Sequence, residues 1–429
     1  MEQLSKWCGI SVTDIEKLTD IFCSTAKIPL VAYTGLEYQL SAIQNNRAIF
    51  VLWAITGKLD APGAIYLNAK GLETPKLFEI PEDDKPIGVD EFPLFYKFSG
   101  QGQFSRFPKA VLEDEPYPVR GLMILGGSPV LSFPDSKSWR EAYKKLDCLI
   151  VLDRYFTEDA RYADVVFPAC SLFEVPKAVP GPEGPHIVEP LIEPVGESKN
   201  DVLIMGAIAK KLGFGDKLPQ TEEELRSWLL SGTAPYAGDF GTSADQKKEK
   251  HYKKYETGEL RADGKPGFPT PSGKLEICST ILEENGFVPY PEYKDVRSIP
   301  ELAGKEYPFT MTSGARSNNR MGVFGANLDK IAEIEPYPFV DINAEDAKEI
   351  GIEDGDMVKV ITPFADGTFK AKIRGIARHA IHIPHGGGSA YMAEPWKNGN
   401  VNDLCSLDYA DPMTGFVLIK SVPCRVEKV

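Results

Sequence analysis

The sequence predicts an α/β protein in which a parallel sheet is followed by a β-barrel. Two stretches carry that prediction. Within residues 120–168 the apolar runs Leu122–Leu125, Cys148–Leu152 and Val165–Phe167 are short and unbroken, the pattern of strands buried on both faces. Between the first two, Trp139, Ala142, Tyr143 and Leu146 recur at helical spacing. Strand–helix–strand units of this kind cross over right-handedly and build a parallel sheet. From Tyr307 onward the pattern becomes alternation. Phe309 and Met311, Val358 and Val360, then Phe369, Ala371 and Ile373 are interleaved with polar residues, as half-buried strands require.

Taken in order, Ile15–Cys23 is helical in pattern and Pro29–Tyr33 reads as a short strand. Ile43–Thr56 reads as a helix with apolar residues at Ile43, Ala48, Phe50, Val51 and Ile55. Gly57 stops that helix and Pro62-Gly63 makes a turn. Helices without earlier strands make residues 1–75 the expected tail of an incomplete α/β domain. Residues 76–118 are rich in loop formers, including SGQGQF, and the α/β unit follows at about 119–215, within a domain spanning 76–300. The polar, Lys- and Glu-rich residues 216–265 read as a surface excursion, and a Pro-rich connector follows FPTPSGKLEI at 268–277. The barrel domain occupies 301–429. There Asp354-Gly355 and Asp366-Gly367 supply turn residues that tolerate positive φ, and Asn343 through Asp346 can cap a short helix reaching Lys348 and Ile350.

Composition narrows the function. A chain of 429 residues is long enough for two or three domains. A net charge of −14 and a pI near 5.0 argue against a general nucleic-acid or anionic-membrane binder, so any phosphate site must be a local basic pocket. No apolar run approaches a membrane span. The opening MEQLSKWCGISVTDIEKL has no basic start leading into an apolar core, so the chain as it stands reads as cytoplasmic. Seven cysteines without a C-x-x-C pair argue against a disulfide framework and a Cys-rich metal site, and Cys148 is expected in the core.

Three motifs lead nowhere. His385–Gly388 resembles the oxyanion-hole loop of some esterases, but the chain has no Gly-x-Ser-x-Gly nucleophile turn to go with it. Gly100-Gln-Gly102 lacks the third glycine and the preceding strand of a dinucleotide fingerprint, and Ser272-Gly273-Lys274 lacks the rest of a phosphate loop. His379 and His382 would face opposite sides of a strand, so joint metal ligation with His385 is not expected. No residue is assigned as catalytic or as a metal ligand.

Other groups remain open to two readings. The turn Gly126-Gly127-Ser128-Pro129 either serves a tight strand-to-helix connection or offers N–H groups to a polar ligand. Asp153 ends a buried strand, where a carboxylate is costly unless donors reach it. Asp201 opens a helix, where it either complements the dipole or meets a ligand. Thr312-Ser313-Gly314-Ala315-Arg316, then Asn318, Asn319 and Arg320, form either a solvated basic loop or a pyrophosphate clamp, because guanidinium meets phosphate through a bidentate fork.

The turn at 126–129, followed by Asp153, Thr157, Glu158, Ala160, Ala163, Asp164, Val165, Val166 and Pro168, resembles the molybdopterin oxidoreductases of the dimethyl-sulfoxide-reductase family. The C-terminal Asn402, Leu404, Asp411, Pro412, Thr414, Gly415 and Lys420 resemble that family's N-x-L…D-P-x-S/T-G…K pattern, and the likeness extends along nearly the whole chain. The resemblance implies Rossmann-like α/β structure followed by a double-psi-type barrel, together binding molybdopterin guanine dinucleotide. It implies that Asp153 contacts the guanine end, with Thr157 in the same motif and Asp201 in a similar family position. It implies that the loop Thr312–Arg316 wraps the cofactor, that His385 approaches the pterin, and that Asn402 and Lys420 contact pterin or phosphate. Asp164 is expected to organise its loop, Tyr33-Thr34-Gly35 matches a family loop in outline, and Ser128 stands where the family often has Asn.

By the same resemblance, two pterin dinucleotides would hold molybdenum or tungsten, with an iron–sulfur cluster only in a missing part or a partner. The chain resembles the C-terminal half of such an enzyme. Its expected partners are the N-terminal half, if the enzyme is split, and an iron–sulfur electron-transfer subunit, with no nucleic acid and no direct membrane span. An export signal on a missing N-terminal part is compatible with this. The alternatives are a non-catalytic cofactor-binding chain, an inert truncated remnant, or a non-redox hydratase or hydroxyl transferase of the same family.

Overall fold

Apolar residues placed at helical spacing, at short unbroken runs and at strict alternation settle into three corresponding kinds of structure. The computed structural model describes residues 1–67, 85–179, 184–231, 251–314 and 328–429. The chain divides into two compact units. The first comprises Met1–Glu37, Ser41–Thr74 and Lys248–Tyr293; the second comprises Tyr38–Leu40, Pro75–Lys247 and Lys294–Val429.

The first unit is built on helices α1 (Glu2–Cys8), α2 (Val12–Ser24) and α3 (Ala42–Ile55). Ser11 caps α2 by accepting the Asp14 N–H at 3.1 Å. The helix expected at 15–23 is therefore present. The strand expected at Pro29–Tyr33 is not: the segment has no regular structure and Val31 is 95% exposed. Strand propensity has no effect without a neighbour to complete the ladder.

Helix α3 forms where expected, but on a different face. Ala42, Gln44 and Trp53 are buried, whereas Phe50 and Ile55 are exposed. Two contacts choose that face: Trp53 packs edge-on against Phe22 at 4.8 Å and donates to the Ile28 carbonyl at 2.9 Å. In the same unit Lys254 is buried, its ammonium 2.6 Å from Asp60 and 3.9 Å from the Tyr66 ring centroid. The described parts of residues 216–265 are thus more than a surface excursion, because a buried carboxylate lets an apolar site hold a lysine. The same stretch carries, in the second unit, helix Glu222–Leu230 with Leu225 fully buried.

In the second unit, β1 (Gly121–Leu125), β2 (Cys148–Asp153) and β3 (Val165–Pro168) pair in parallel in the order β1-β2-β3. Helix α4 (Ser136–Lys145) crosses between β1 and β2, capped by Asp135, which accepts the Ser138 N–H at 3.2 Å. Its Trp139, Ala142 and Tyr143 are buried, and the Trp139 ring stacks on Phe107 at 5.7 Å. Truncating such a tryptophan to alanine costs about 3–5 kcal/mol. Phe107 belongs to helix Phe107–Glu113, so the loop-rich reading of 76–118 misses a core element. Leu125 and Val165, on the two edge strands, are exposed, and so is Cys148, the first residue of the central strand β2, contrary to its expected core position.

Two short strands, β4 (Lys177–Val179) and β5 (His186–Val188), pair antiparallel. The barrel strands are β6 (Phe309–Ser313), β7 (Phe339–Asn343), β8 (Met357–Ile361), β9 (Asp366–Arg374), β10 (Ala380–Ile383) and β11 (Val422–Lys428). They close in the order β10-β6-β11-β8-β9-β7. Phe309, Met311, Val358, Val360, Phe369 and Ala371 point inward, as their alternation requires, while Ile373 is only half-buried. Asn343 caps helix Ala344–Glu349 by accepting the Glu345 N–H at 2.9 Å. Gly355 has the positive φ expected of its turn. Asp366-Gly367 is not a turn: Asp366 pairs with Ile361, and the β8–β9 connection is closed by the Thr362 hydroxyl, which accepts the Phe364 and Ala365 N–H groups.

Candidate functional site

The polar ends of β1 and β2 lie side by side. Leu125 pairs with Leu152, and the Gly126 N–H donates to the Leu152 carbonyl at 2.9 Å, so the chain turns sharply off the sheet. Gly126 has φ 58°, a conformation that favours glycine. Among the described residues a Cβ there would meet nothing within 4 Å. Pro129 starts the short helix Pro129–Ser132 and is buried with Val130 and Leu131.

Ser128 does not face that space. Its hydroxyl donates to Asp159, which also accepts the Val130 N–H at 3.1 Å and the Tyr143 hydroxyl at 2.7 Å. Burial pushes the Asp159 carboxyl above its ordinary value and the hydrogen bonds from Ser128, Tyr143 and Val130 pull it back. Asp159 is the residue that sequence reasoning missed. It occupies the variable place of the Thr157-Glu158-x-Ala160 pattern, and only its adjacency to a second acidic residue marks it.

Asp153 ends β2 beside Pro168, and its Oδ1 accepts the Tyr155 N–H at 3.0 Å. Asp201 begins helix Asp201–Lys211, whose cap is Asn200. Asp201 is open to solvent on one side, yet partial burial and then the charge of Asp153 push its carboxyl above the usual range, against the pull of Arg154. The structure thus brings two carboxylates within electrostatic reach at the C-terminal edge of a parallel sheet. Thr157 is spent locally, accepting the Ala160 N–H at 3.2 Å. Asp164 organises its loop as expected, accepting the Leu149 N–H at 2.7 Å.

At the barrel end the expected residues separate into two groups. Thr312 stands on the outer face of β6, in register with His382, and the Ser313 hydroxyl donates to the Ile419 carbonyl at 2.9 Å. Gly314, at φ 117°, lies against Lys420 and His385; a Cβ there would run into the Lys420 ammonium and come 3.3 Å from His385 Nε2. Lys420 donates to the Ser313 carbonyl, and burial holds its ammonium below the ordinary lysine value. Arg316 and Arg320, with Asn318 and Asn319, lie outside the described residues. Of the other histidines, His382 pairs with Asp341 at 2.9 Å and His379 is exposed at φ 60°.

Asn402 joins the two halves of this unit. It is 2% exposed, its Nδ2 donates to the Leu131 carbonyl at 2.7 Å, and its Oδ1 has no partner among the described residues. Glu158 makes a second tie: its Oε2 accepts the Ala390 N–H at 3.0 Å while Oε1 meets Arg161 at 2.8 Å. The glycines of the His385–Gly388 loop allow close packing, since a Cβ at Gly387 would strike Gly399 and one at Gly388 would strike Asn400. A glycine turn with no neighbour over Gly126, a carboxylate pair, a half-buried lysine beside a histidine, and a buried acceptor unpaired among the described residues fit a large ligand with both N–H donors and anionic oxygens.

Comparison with known proteins accords with this chemistry. A family model described as Molybdopterin oxidoreductase matches residues 39–211, and one described as Molydopterin dinucleotide binding domain matches residues 310–423. The chain is 28% identical to the probable oxidoreductase YoaE of Bacillus subtilis over 377 residues, covering 84% of this chain and 51% of that one. It is 26% identical to the F420-dependent formate dehydrogenase subunit alpha of Methanocaldococcus jannaschii, covering 89% of this chain and 57% of the relative. It therefore spans about half the length of these curated relatives. Its fold is similar to the solved structure of acetylene hydratase from Pelobacter acetylenicus, with TM-score 0.79, 20% identity, and coverage of 98% of this chain and 63% of that chain.

Proposed function

Because this chain belongs to the dimethyl-sulfoxide-reductase family of molybdopterin oxidoreductases, we propose that it is the molybdopterin-guanine-dinucleotide-binding portion of a molybdenum or tungsten oxidoreductase. The iron–sulfur cluster and the protein ligand to the metal would come from polypeptide outside this sequence. The observation that carries the reading is the carboxylate pair Asp153 and Asp201 beside the open Gly126-Gly127 turn. Two acceptor groups match the N–H and N–H₂ edge of guanine, and glycines let the ligand approach the backbone.

Asn402 would offer its buried Oδ1 to a pterin N–H, and Lys420 with His385 would meet pterin or phosphate oxygen beside Gly314. The bound cofactor would supply redox chemistry at its metal. This chain's residues orient it, exclude water from its pterin end and set its charge environment. Arg316 and Arg320 as a pyrophosphate clamp rest on sequence alone.

Exposed apolar side chains in the first unit support a covering polypeptide. Trp7, Leu18, Ile21, Phe50 and Ile55 are all exposed on α1, α2 and α3, and large exposed apolar patches mark interaction surfaces. Among the described residues no helix is long and apolar enough to cross a membrane.

The test is protein purified from its native host, with molybdenum, tungsten, iron and guanine nucleotide quantified and co-purifying chains identified. Molybdenum or tungsten with GMP released on acid hydrolysis supports the reading, and iron in the same complex supports the iron–sulfur portion. Protein without GMP or either metal overturns it in favour of an inert remnant.

A further inference from the structure

We propose that Asp159 is a positioning residue that locks the Gly126–Pro129 turn against the loop carrying Asp153, so that both flanks of the nucleotide site keep one spacing. The inference rests on the cofactor site proposed above. Its starting point is a cost: Asp159 is fully buried, and among the described residues it has no cationic partner in an ion pair. A buried carboxylate of that kind survives only where donors converge on it.

The donors come from three places. The Ser128 hydroxyl belongs to the glycine turn, the Val130 N–H to the short helix that follows it, and the Tyr143 hydroxyl to the crossing helix α4. Asp159 itself lies in the loop that begins at Asp153, and Thr157 stiffens that loop through the Ala160 N–H. One carboxylate therefore ties the end of β1 to the end of β2 above the sheet, where the strand ladder no longer holds them. Side chains behind a ligand contact set its affinity in the same way that outer partners of metal ligands do.

The experiment compares Asp159→Ala, Asp159→Asn, Tyr143→Phe and Asp153→Ala in the protein as purified from its host. Readouts are GMP released per chain, melting temperature, and hydrogen exchange at the Val130 amide. Asp159→Asn keeps an oxygen for Val130 and Tyr143, and its amide can donate to the Ser128 oxygen, so GMP content stays near wild type. Asp159→Ala lowers GMP content about tenfold, on the scale seen when outer partners are lost, and speeds Val130 exchange. Tyr143→Phe lowers the melting temperature but keeps GMP. Asp153→Ala loses GMP and leaves Val130 exchange unchanged.

Equal GMP loss in Asp159→Ala and Tyr143→Phe at matched melting temperature would overturn the positioning role. Absence of GMP from wild type would overturn the cofactor site instead. Val130 exchange then still decides the role of Asp159: unchanged protection in Asp159→Ala defeats it, and lost protection with an intact β2 upholds it.

Discussion

Asn402 donates its side-chain amide to the Leu131 carbonyl at 2.7 Å while its own Oδ1 stays buried without a partner among the described residues. An unpaired buried acceptor costs about 1–3 kcal/mol. In the proposed site a ligand N–H would complete that bond. The same side chain holds a barrel loop to the helix that follows the glycine turn, so in that reading ligand and scaffold would share one residue.

Asn402→Ala is expected to reduce cofactor retention, and also to leave the Leu131 carbonyl unpaired at a cost of about 1–3 kcal/mol. GMP content and the denaturation midpoint check the two effects separately. Full GMP content in the variant would remove Asn402 from the site.

Asp153→Ala is expected to lose GMP without a comparable loss of stability, because among the described residues the carboxylate accepts only the local Tyr155 N–H. Dialysis followed by nucleotide assay decides it.

Asp201 gives a pH dependence. Its folded-state pKa lies above the unfolded value, so the folded chain takes up the proton first. Folding of the empty chain therefore gains as pH falls through that window, while guanine binding is lost because a protonated carboxyl accepts less well. Cofactor release on acidification should begin above the ordinary aspartate range, and Asp201→Asn should flatten it.

Glu174 runs the other way. Hydrogen bonds from Ser171 and then the Val195 N–H hold its carboxyl down at about 2. The stabilisation is complete above the unfolded value of about 4.3 and is lost as pH falls towards about 2. A titration followed at the Val195 amide should show that low midpoint; a midpoint near the ordinary glutamate value would contradict it.

Lys254→Met is expected to destabilise the chain by about 3–5 kcal/mol by leaving the buried Asp60 charge without its cation, held among the described residues only by the Lys254 and Leu67 N–H groups. The double variant Asp60→Asn with Lys254→Met should recover much of that loss. Urea denaturation midpoints test both.

Legibility followed the range of the forces. The runs that became β1, β2 and β3, the alternation inside the barrel and the cap at Asn343 were readable because each depends on neighbours in sequence. Pro29–Tyr33 failed as a strand because pairing needs a distant partner. Cys148 and the buried face of α3 were misplaced because burial depends on which distant segments pack over a residue. For the proposed site, Asp153, Gly126 and Asn402 were singled out through their pattern. Asp159 was missed because its partners are Ser128, Val130 and Tyr143, well apart from it in the chain.

By itself the sequence determined the fold class, the family pattern and the residue types proposed for a guanine-dinucleotide site. Periodicity and motif spacing are local properties that survive without coordinates. Only the tertiary structure decided which of those groups are free for a ligand. Ser128, Thr157 and Ser313 bond to protein partners, whereas Asn402 keeps an acceptor unpaired among the described residues. The reason is physical: a polar group's availability depends on every donor and acceptor packed around it, and those arrive from all over the chain.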